Sequence, residues 1–162
     1  MATTNNCMYL LKSGDEVLCS DDVYGGTFRF FTKVISKFGV KVHFVNTSDL
    51  AQVEQHLNPA IKLVWLESPT NPLLKLTDIA AVCRLAKANG SLVVVDNTFM
   101  SPAFQRPLEL GADIVMHSAT KYLGGHSDLV GGVLATNSDE INEIMRFHQN
   151  AVGAIPGPFD CW

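Results

Sequence analysis

The segment Leu92-Val93-Val94-Val95-Asp96-Asn97-Thr98 (LVVVDNT, 92–98) decides the fold. Its apolar residues are consecutive rather than alternating, three of the four are β-branched, and an acid and turn residues close the run. A run this short is a strand rather than a helix, and apolar side chains at successive positions mean that both sheet faces are covered. Working outward, EVLCS (16–20), KVHFV (41–45), KLVWLE (62–67) and ADIVMHS (112–118) share the pattern. Helically spaced apolar residues lie between them: Phe28, Phe31, Ile35 and Phe38; Leu50, Val53 and Leu57; then Leu76, Ile79, Ala80, Cys83 and Ala86. A further strand is predicted over LVGGVLAT (129–136), with Asn137 and Ser138 as N-cap candidates for a helix through Glu140, Ile144 and Phe147. The alternation predicts an α/β fold with a mostly parallel sheet covered by helices on both faces, and leaves the strand order open.

Composition narrows the function. The chain has 162 residues, 47% of them hydrophobic and 17% charged, which predicts apolar surface buried against a partner or a further domain. Its formal net charge is -4, and its twelve lysines and arginines are scattered, so no nucleic-acid-binding stripe is expected. No apolar run approaches the roughly 20 residues of a membrane helix, so no membrane partner is expected. Cys7, Cys19, Cys83 and Cys161 form no CxxC pair, and Cys19 and Cys83 lie in apolar segments, which predicts a reduced, soluble, cytoplasmic chain. The five histidines show no HExxH spacing, so no metal is expected; His43 reads as a sheet residue and His126 as one that orients its loop. Neither GxGxxG nor GxxxxGK[ST] occurs, which argues against a nucleotide-binding domain.

In open α/β sheets ligands gather at the carboxyl ends of the strands. Polar residues follow four of the predicted strands directly. Asp96 and Thr98 follow one, and Ser118, Thr120 and Lys121 follow another, in SATKYLGGHSD (118–128). Tyr24 stands before two glycines in DDVYGGT (21–27), with a helix starting at Thr27, and Asn71 sits between two prolines in ESPTNP (67–72). Singly, each has a plain explanation as an N-cap, a polar loop or a tight turn. Together, an amine, a carboxylate, an aromatic ring, an amide and hydroxyls match the needs of pyridoxal phosphate (PLP). Its aldehyde takes an amine, its pyridine nitrogen a carboxylate, its phosphate hydroxyls and its ring face an aromatic lid.

Those stretches, with VVVDNTFMSPAFQRPLELGADIVMHSATKYLGGHSD and GAIPGPFDCW, resemble the Cys/Met-metabolism family of PLP-dependent enzymes along nearly the whole chain. The resemblance implies part of the large domain of an aspartate aminotransferase-type (fold type I) enzyme. It implies that Lys121 carries the cofactor and then shuttles protons, that Asp96 pairs with the pyridine nitrogen and that Tyr24 stacks on the ring. It also implies that Ser118 and Thr120 hold the phosphate, while Thr98 and Asn71 contact the ring or its hydroxyl. Within the family, DNTFMSP is similar to the gamma-lyase branch, which splits the sulfur amino acid cystathionine into cysteine, 2-oxobutanoate and ammonia. Gly26, where methionine gamma-lyases usually have a cysteine, points away from that branch. The beta-lyases and gamma-synthases, and a truncated remnant that only binds the cofactor, remain as alternatives. The family resemblance also implies a homotetramer, and residues 1–162 are expected to be the central part of the PLP-binding large domain, without the family's N-terminal arm and small C-terminal domain.

Overall fold

The computed structural model describes residues 1–162. A short helix, α1 (Ala2–Met8), precedes six strands in one sheet: β1 (Glu16–Ser20), β2 (Lys41–Val45), β3 (Ile61–Glu67), β4 (Leu92–Asp96), β5 (Ile114–Ser118) and β6 (Gly132–Ala135). The order is β2-β1-β3-β4-β5-β6, with the first five strands parallel and β6 antiparallel to β5. The chain runs outward from β1 to β2, then crosses back over β1 to β3. That reversal puts a crevice between the carboxyl ends of β1 and β3, where α/β sheets accept ligands.

Alternate residues along each central strand enter different cores. Val17, Cys19, Leu63, Trp65, Val94, Ile114 and Met116 pack on one face beneath α1, α2 (Gly25–Lys33) and α6 (Asp139–Val152). Leu18, Val64, Leu66, Val93 and Val95 pack on the other, beneath α3 (Leu50–His56) and α4 (Ile79–Asn89). The mostly parallel sheet with helices on both faces is therefore as expected. Trp65 and Phe31 meet edge to face at 5.5 Å in the centre of the first core. Burial pushes the Cys7 thiol up to about 12 and Cys83 up to about 11, so these thiols act as apolar filling rather than as nucleophiles.

Local chemistry sets the helix ends. The Asp49 carboxylate accepts from the amides of Ala51 and Gln52, Asp78 from that of Ala81, and Ser138 from that of Ile141. Several expectations change as a result. The face through Phe28, Phe31, Ile35 and Phe38 is not one helix: α2 ends at Lys33, and Ile35–Phe38 is a separate tight turn closed by left-handed Gly39. Only Phe31 and Ile35 of that set are buried. Leu76 lies ahead of the Asp78 cap, outside α4, and is exposed. The last strand occupies only 132–135 of the expected 129–136, and Ser138 rather than Asn137 caps α6.

Two further short helices, α5 (Ser101–Phe104) and α7 (Pro158–Cys161), and a tight helical turn over Pro107–Leu110 lie outside these layers. Phe104, Val130, Phe147, Phe159 and Trp162 are exposed large apolar side chains.

Candidate active site

Every sequence-predicted site residue follows the carboxyl end of a strand. Tyr24 follows β1, Asn71 follows β3, Asp96 ends β4 with Thr98 two residues on, and Ser118 ends β5 with Thr120 and Lys121 beyond it. The adjacency of β1, β3, β4 and β5 brings these ends to one edge.

Asp96 is the buried centre of this edge, with 7% of its surface exposed. The amide and hydroxyl of Thr98 both donate to its Oδ1, at 3.1 and 2.6 Å. The same hydroxyl accepts from the Ser118 amide at 2.8 Å. Thr98 thus ties the carboxylate of β4 to the segment that carries Lys121, and its hydroxyl is already used as donor and as acceptor. The Asp96 Oδ2 receives no donor from the chain. Burial raises the Asp96 pKa, against the Thr98 hydrogen bonds that favour the anion. A buried carboxylate with one anchored oxygen and one open oxygen is suited to a cationic or N–H-bearing ligand.

Lys121 is exposed and lies in a wide turn over Ala119–Leu123. The Gly124 amide closes this turn on the Ala119 carbonyl at 2.8 Å. A side chain at 124 would press on that carbonyl, with a Cβ only 2.6 Å from it, so glycine is required there. Thr120 fastens the turn to the strand beside it: its hydroxyl donates to the Gly131 carbonyl at 3.2 Å and accepts from the Gly131 amide at 3.0 Å. Its expected phosphate-holding oxygen is therefore engaged within the chain, whereas the Ser118 hydroxyl has no such partner. His126 Nδ1 lies 3.0 Å from the Gly124 carbonyl, in keeping with a loop-orienting role.

The Tyr24 ring is half exposed and folds back over Gly26, where any Cβ would run into it. Helix α2 begins at Gly25, ahead of the expected Thr27, with Tyr24 as its cap residue. The Asn71 loop is held from across the crevice. Asp22 accepts from the Thr70 hydroxyl and, at 2.8 Å, from the Leu73 amide, and the Asp21 carboxylate pairs with Lys75 at 2.8 Å.

Sequence reasoning missed Glu67. It is only 5% exposed, and its Oε2 accepts from the Tyr24 amide at 2.9 Å. Its register partner on the neighbouring strand is Asp96. Burial, then the Asp96 charge, pushes the Glu67 carboxyl up to about 8. The signal was present in KLVWLE, because Glu67 shares the parity of Leu63 and Trp65 and so points into the same buried face. No three His, Cys, Asp or Glu side chains gather as metal ligands, and no helix is long and apolar enough to cross a membrane.

A doubly covered parallel sheet with a lysine loop and a buried acid at its carboxyl edge is the framework of a large class of PLP enzymes. The chain belongs to one family within it, the Cys/Met metabolism PLP-dependent enzymes, which match it over residues 1–162. It is 56% identical to a cystathionine gamma-lyase of Dictyostelium discoideum over all of its own length and 42% of that protein's. It is 52% identical to a probable cystathionine gamma-synthase of Herpetosiphon aurantiacus, covering 51% of it. Among solved structures, cystathionine gamma-lyase from Lactobacillus plantarum complexed with L-serine superposes with a TM-score of 0.98 at 48% identity, over 99% of this chain and 42% of that one. The chain thus spans about half or less of the proteins it matches.

Proposed function

We propose that residues 1–162 form the central part of the PLP-binding large domain of a carbon–sulfur lyase, and that the whole protein splits cystathionine in the manner of a gamma-lyase. The observation that carries this reading is the Asp96–Thr98–Ser118 chain of hydrogen bonds, which links an open buried carboxylate to the turn bearing Lys121.

The donor set suits the cofactor. Asp96 Oδ2 would take the pyridine N–H, Lys121 Nζ the aldehyde, Ser118 the phosphate, Asn71 the ring hydroxyl and Tyr24 the ring face. Thr98 and Thr120 would act one step back, by aiming Asp96 and by fixing the Lys121 turn. Bound PLP supplies an aldehyde that captures the substrate amine and a protonated ring that accepts electrons from the bonds being broken. Asp96 keeps the proton on the ring nitrogen because its buried carboxylate favours a cation beside it. Lys121 Nζ, as a free amine beside the substrate, would remove the α-proton and serve the later proton transfers. Tyr24 covers the site and excludes water from it. In sum, cystathionine and one water give cysteine, 2-oxobutanoate and ammonia.

A gamma-synthase is the second reading, favoured by the 52% identity to the Herpetosiphon protein. The exposed apolar side chains support burial against a partner or a further domain, and the family resemblance adds a homotetramer to the reading. The test is to add PLP and cystathionine to the protein. The lyase reading predicts a visible absorption band that Lys121→Ala abolishes, and release of 2-oxobutanoate from cystathionine alone. A protein that binds PLP and forms cystathionine from cysteine and an activated homoserine ester, without releasing 2-oxobutanoate, is the synthase. Absence of the band defeats both readings.

A further inference from the structure

We propose that Glu67 is a positioning residue of this site, a proton-bearing acid set beside Asp96 that ties down the Tyr24 and Asn71 loops and leaves the negative charge on Asp96 alone. The proposal rests on the PLP reading for its purpose, and on the geometry of the protein itself for its substance.

Glu67 and Asp96 are register partners on adjacent parallel strands. They extend the parity of Trp65 and Val94, whose side chains share one core, so both acids lie on the same face of the sheet. Neighbouring strands are only about 4.8 Å apart, so the two carboxyl groups are close neighbours. Glu67 also reaches both loops that flank the crevice. Its Oε2 accepts from the Tyr24 amide at 2.9 Å, and the backbone N–H of Asn71 lies near enough to favour its anion weakly. One side chain therefore joins the residue expected over the ring, the residue expected at its hydroxyl and the residue expected at its nitrogen.

The charges facing Glu67 are acidic. Asp96 stands on β4 and Asp22 on the loop after β1, while the Cys19 thiol of β1 is buried and protonated. No lysine, arginine or histidine acts appreciably on it. The one cation acting on the pair is the N-terminal ammonium, and it favours the anion at Asp96, not at Glu67; two buried carboxyls so placed share one proton. The Thr98 hydroxyl and amide favour the anion at Asp96, whereas burial and the Asp96 charge hold the proton on Glu67 up to about pH 8. A ring nitrogen would then meet one negative charge, not two, and the Tyr24 loop would stay anchored without a second buried anion.

The experiment compares Glu67→Gln, which imitates the neutral acid, with Glu67→Ala in the full chain. The Glu67 signal in carboxyl 13C NMR of the cofactor-free protein is assigned by its loss in Glu67→Gln. It is expected to titrate near pH 8, and Asp96→Asn should lower that midpoint. Hydrogen exchange at the Tyr24 amide should stay near the parent rate in Glu67→Gln and rise in Glu67→Ala. In PLP titrations, Glu67→Gln should bind within about threefold of the parent and Glu67→Ala roughly tenfold more weakly, the scale of one lost hydrogen bond. A Glu67 midpoint in the ordinary carboxylate range that ignores Asp96→Asn overturns the proposal. So does Tyr24 protection that survives Glu67→Ala, or Glu67→Gln binding PLP as poorly as Glu67→Ala. Should Glu67→Ala not fold, the titration and Glu67→Gln decide alone. A parent chain that binds no PLP defeats the PLP reading, while the titration and exchange results still judge Glu67.

Discussion

The two edges of this sheet use polar groups in opposite ways. At the amino ends of the strands, polar atoms close on the backbone. Asp15 accepts from the Lys12 amide at 2.9 Å, Asp113 from the Val93 amide at 2.7 Å, and Ser91 donates to the Ile61 carbonyl at 2.7 Å. A hollow of about 490 Å³ does lie there, between Leu10, Lys12, Asp15, Lys62 and Leu92, yet it contains none of the candidate residues. At the carboxyl ends Asp96 and Glu67 are buried with bonding capacity to spare, and the loops around them are tied to one another across the crevice. The first edge is finished as a fold. The second is left open, and on the proposed reading a ligand finishes it, because an incompletely paired buried acid costs stability that binding recovers.

The largest expected effect sharpens this contrast. Glu67 gains its proton on folding, because its folded pKa of about 8 lies above the ordinary 4.5. Folded protein then binds more protons than unfolded between those values, so stability falls as pH rises through that window. Glu67→Gln removes that loss. It should match the parent near pH 4 and exceed it by about 4 kcal/mol above pH 8, from the size of the shift, as read from urea denaturation midpoints at both pH values. An advantage that does not grow with pH breaks the contrast.

The paired comparison of Asp113→Ala with Asp96→Asn comes next. Asp113→Ala strands the Val93 amide and should cost about 1–3 kcal/mol of stability while leaving PLP affinity unchanged. Asp96→Asn should weaken PLP binding roughly tenfold to a hundredfold, the worth of a charge-assisted hydrogen bond, with no such loss of stability. Calorimetry of the cofactor-free proteins and titration of the visible band separate the two. Thr98→Val should move the pH at which Asp96 takes up a proton upward, since both the hydroxyl bond to Asp96 and the link to Ser118 are lost; carboxyl NMR reads the midpoint. The smallest effect is expected from Gly26→Ala. The Tyr24 ring folded over that glycine must swing aside, but it is half exposed and free to move, so less than about 1 kcal/mol is expected. Near-ultraviolet circular dichroism should report the displaced ring.

How much of this was legible in the sequence follows from which interactions are local. The strands were readable because a segment such as Val93-Val94-Val95 must be covered on both faces whatever surrounds it. The stations at the strand ends were readable for the same reason: Asp96, Ser118 and Lys121 follow apolar runs directly. The break after Lys33 was not, because Ile35 and Phe38 continue the helical spacing through a turn of different pitch. Leu76 misled in the same way, its spacing fitting a helix that the Asp78 cap excludes. The sheet order depends on pairings between distant segments, and no residue announces them. Thr98 was expected against the ring or its hydroxyl, and its bonds to Asp96 and Ser118, which the sequence does not show, brace those two residues as well. Glu67 read as the polar end of a strand, since its burial is made by the strands on either side and its partner, Asp96, lies 29 positions along the chain but directly across in register.

The central claim, that the carboxyl edge binds PLP through Lys121 with Asp96 behind it, meets its most direct test in covalent trapping. The protein is mixed with PLP, reduced with borohydride, digested and mapped by mass spectrometry. The account predicts one modified peptide, carrying the label on Lys121, and labelling that falls sharply in Asp96→Asn. Label spread over Lys12, Lys62 and the other surface lysines, or found elsewhere and indifferent to Asp96, would contradict it.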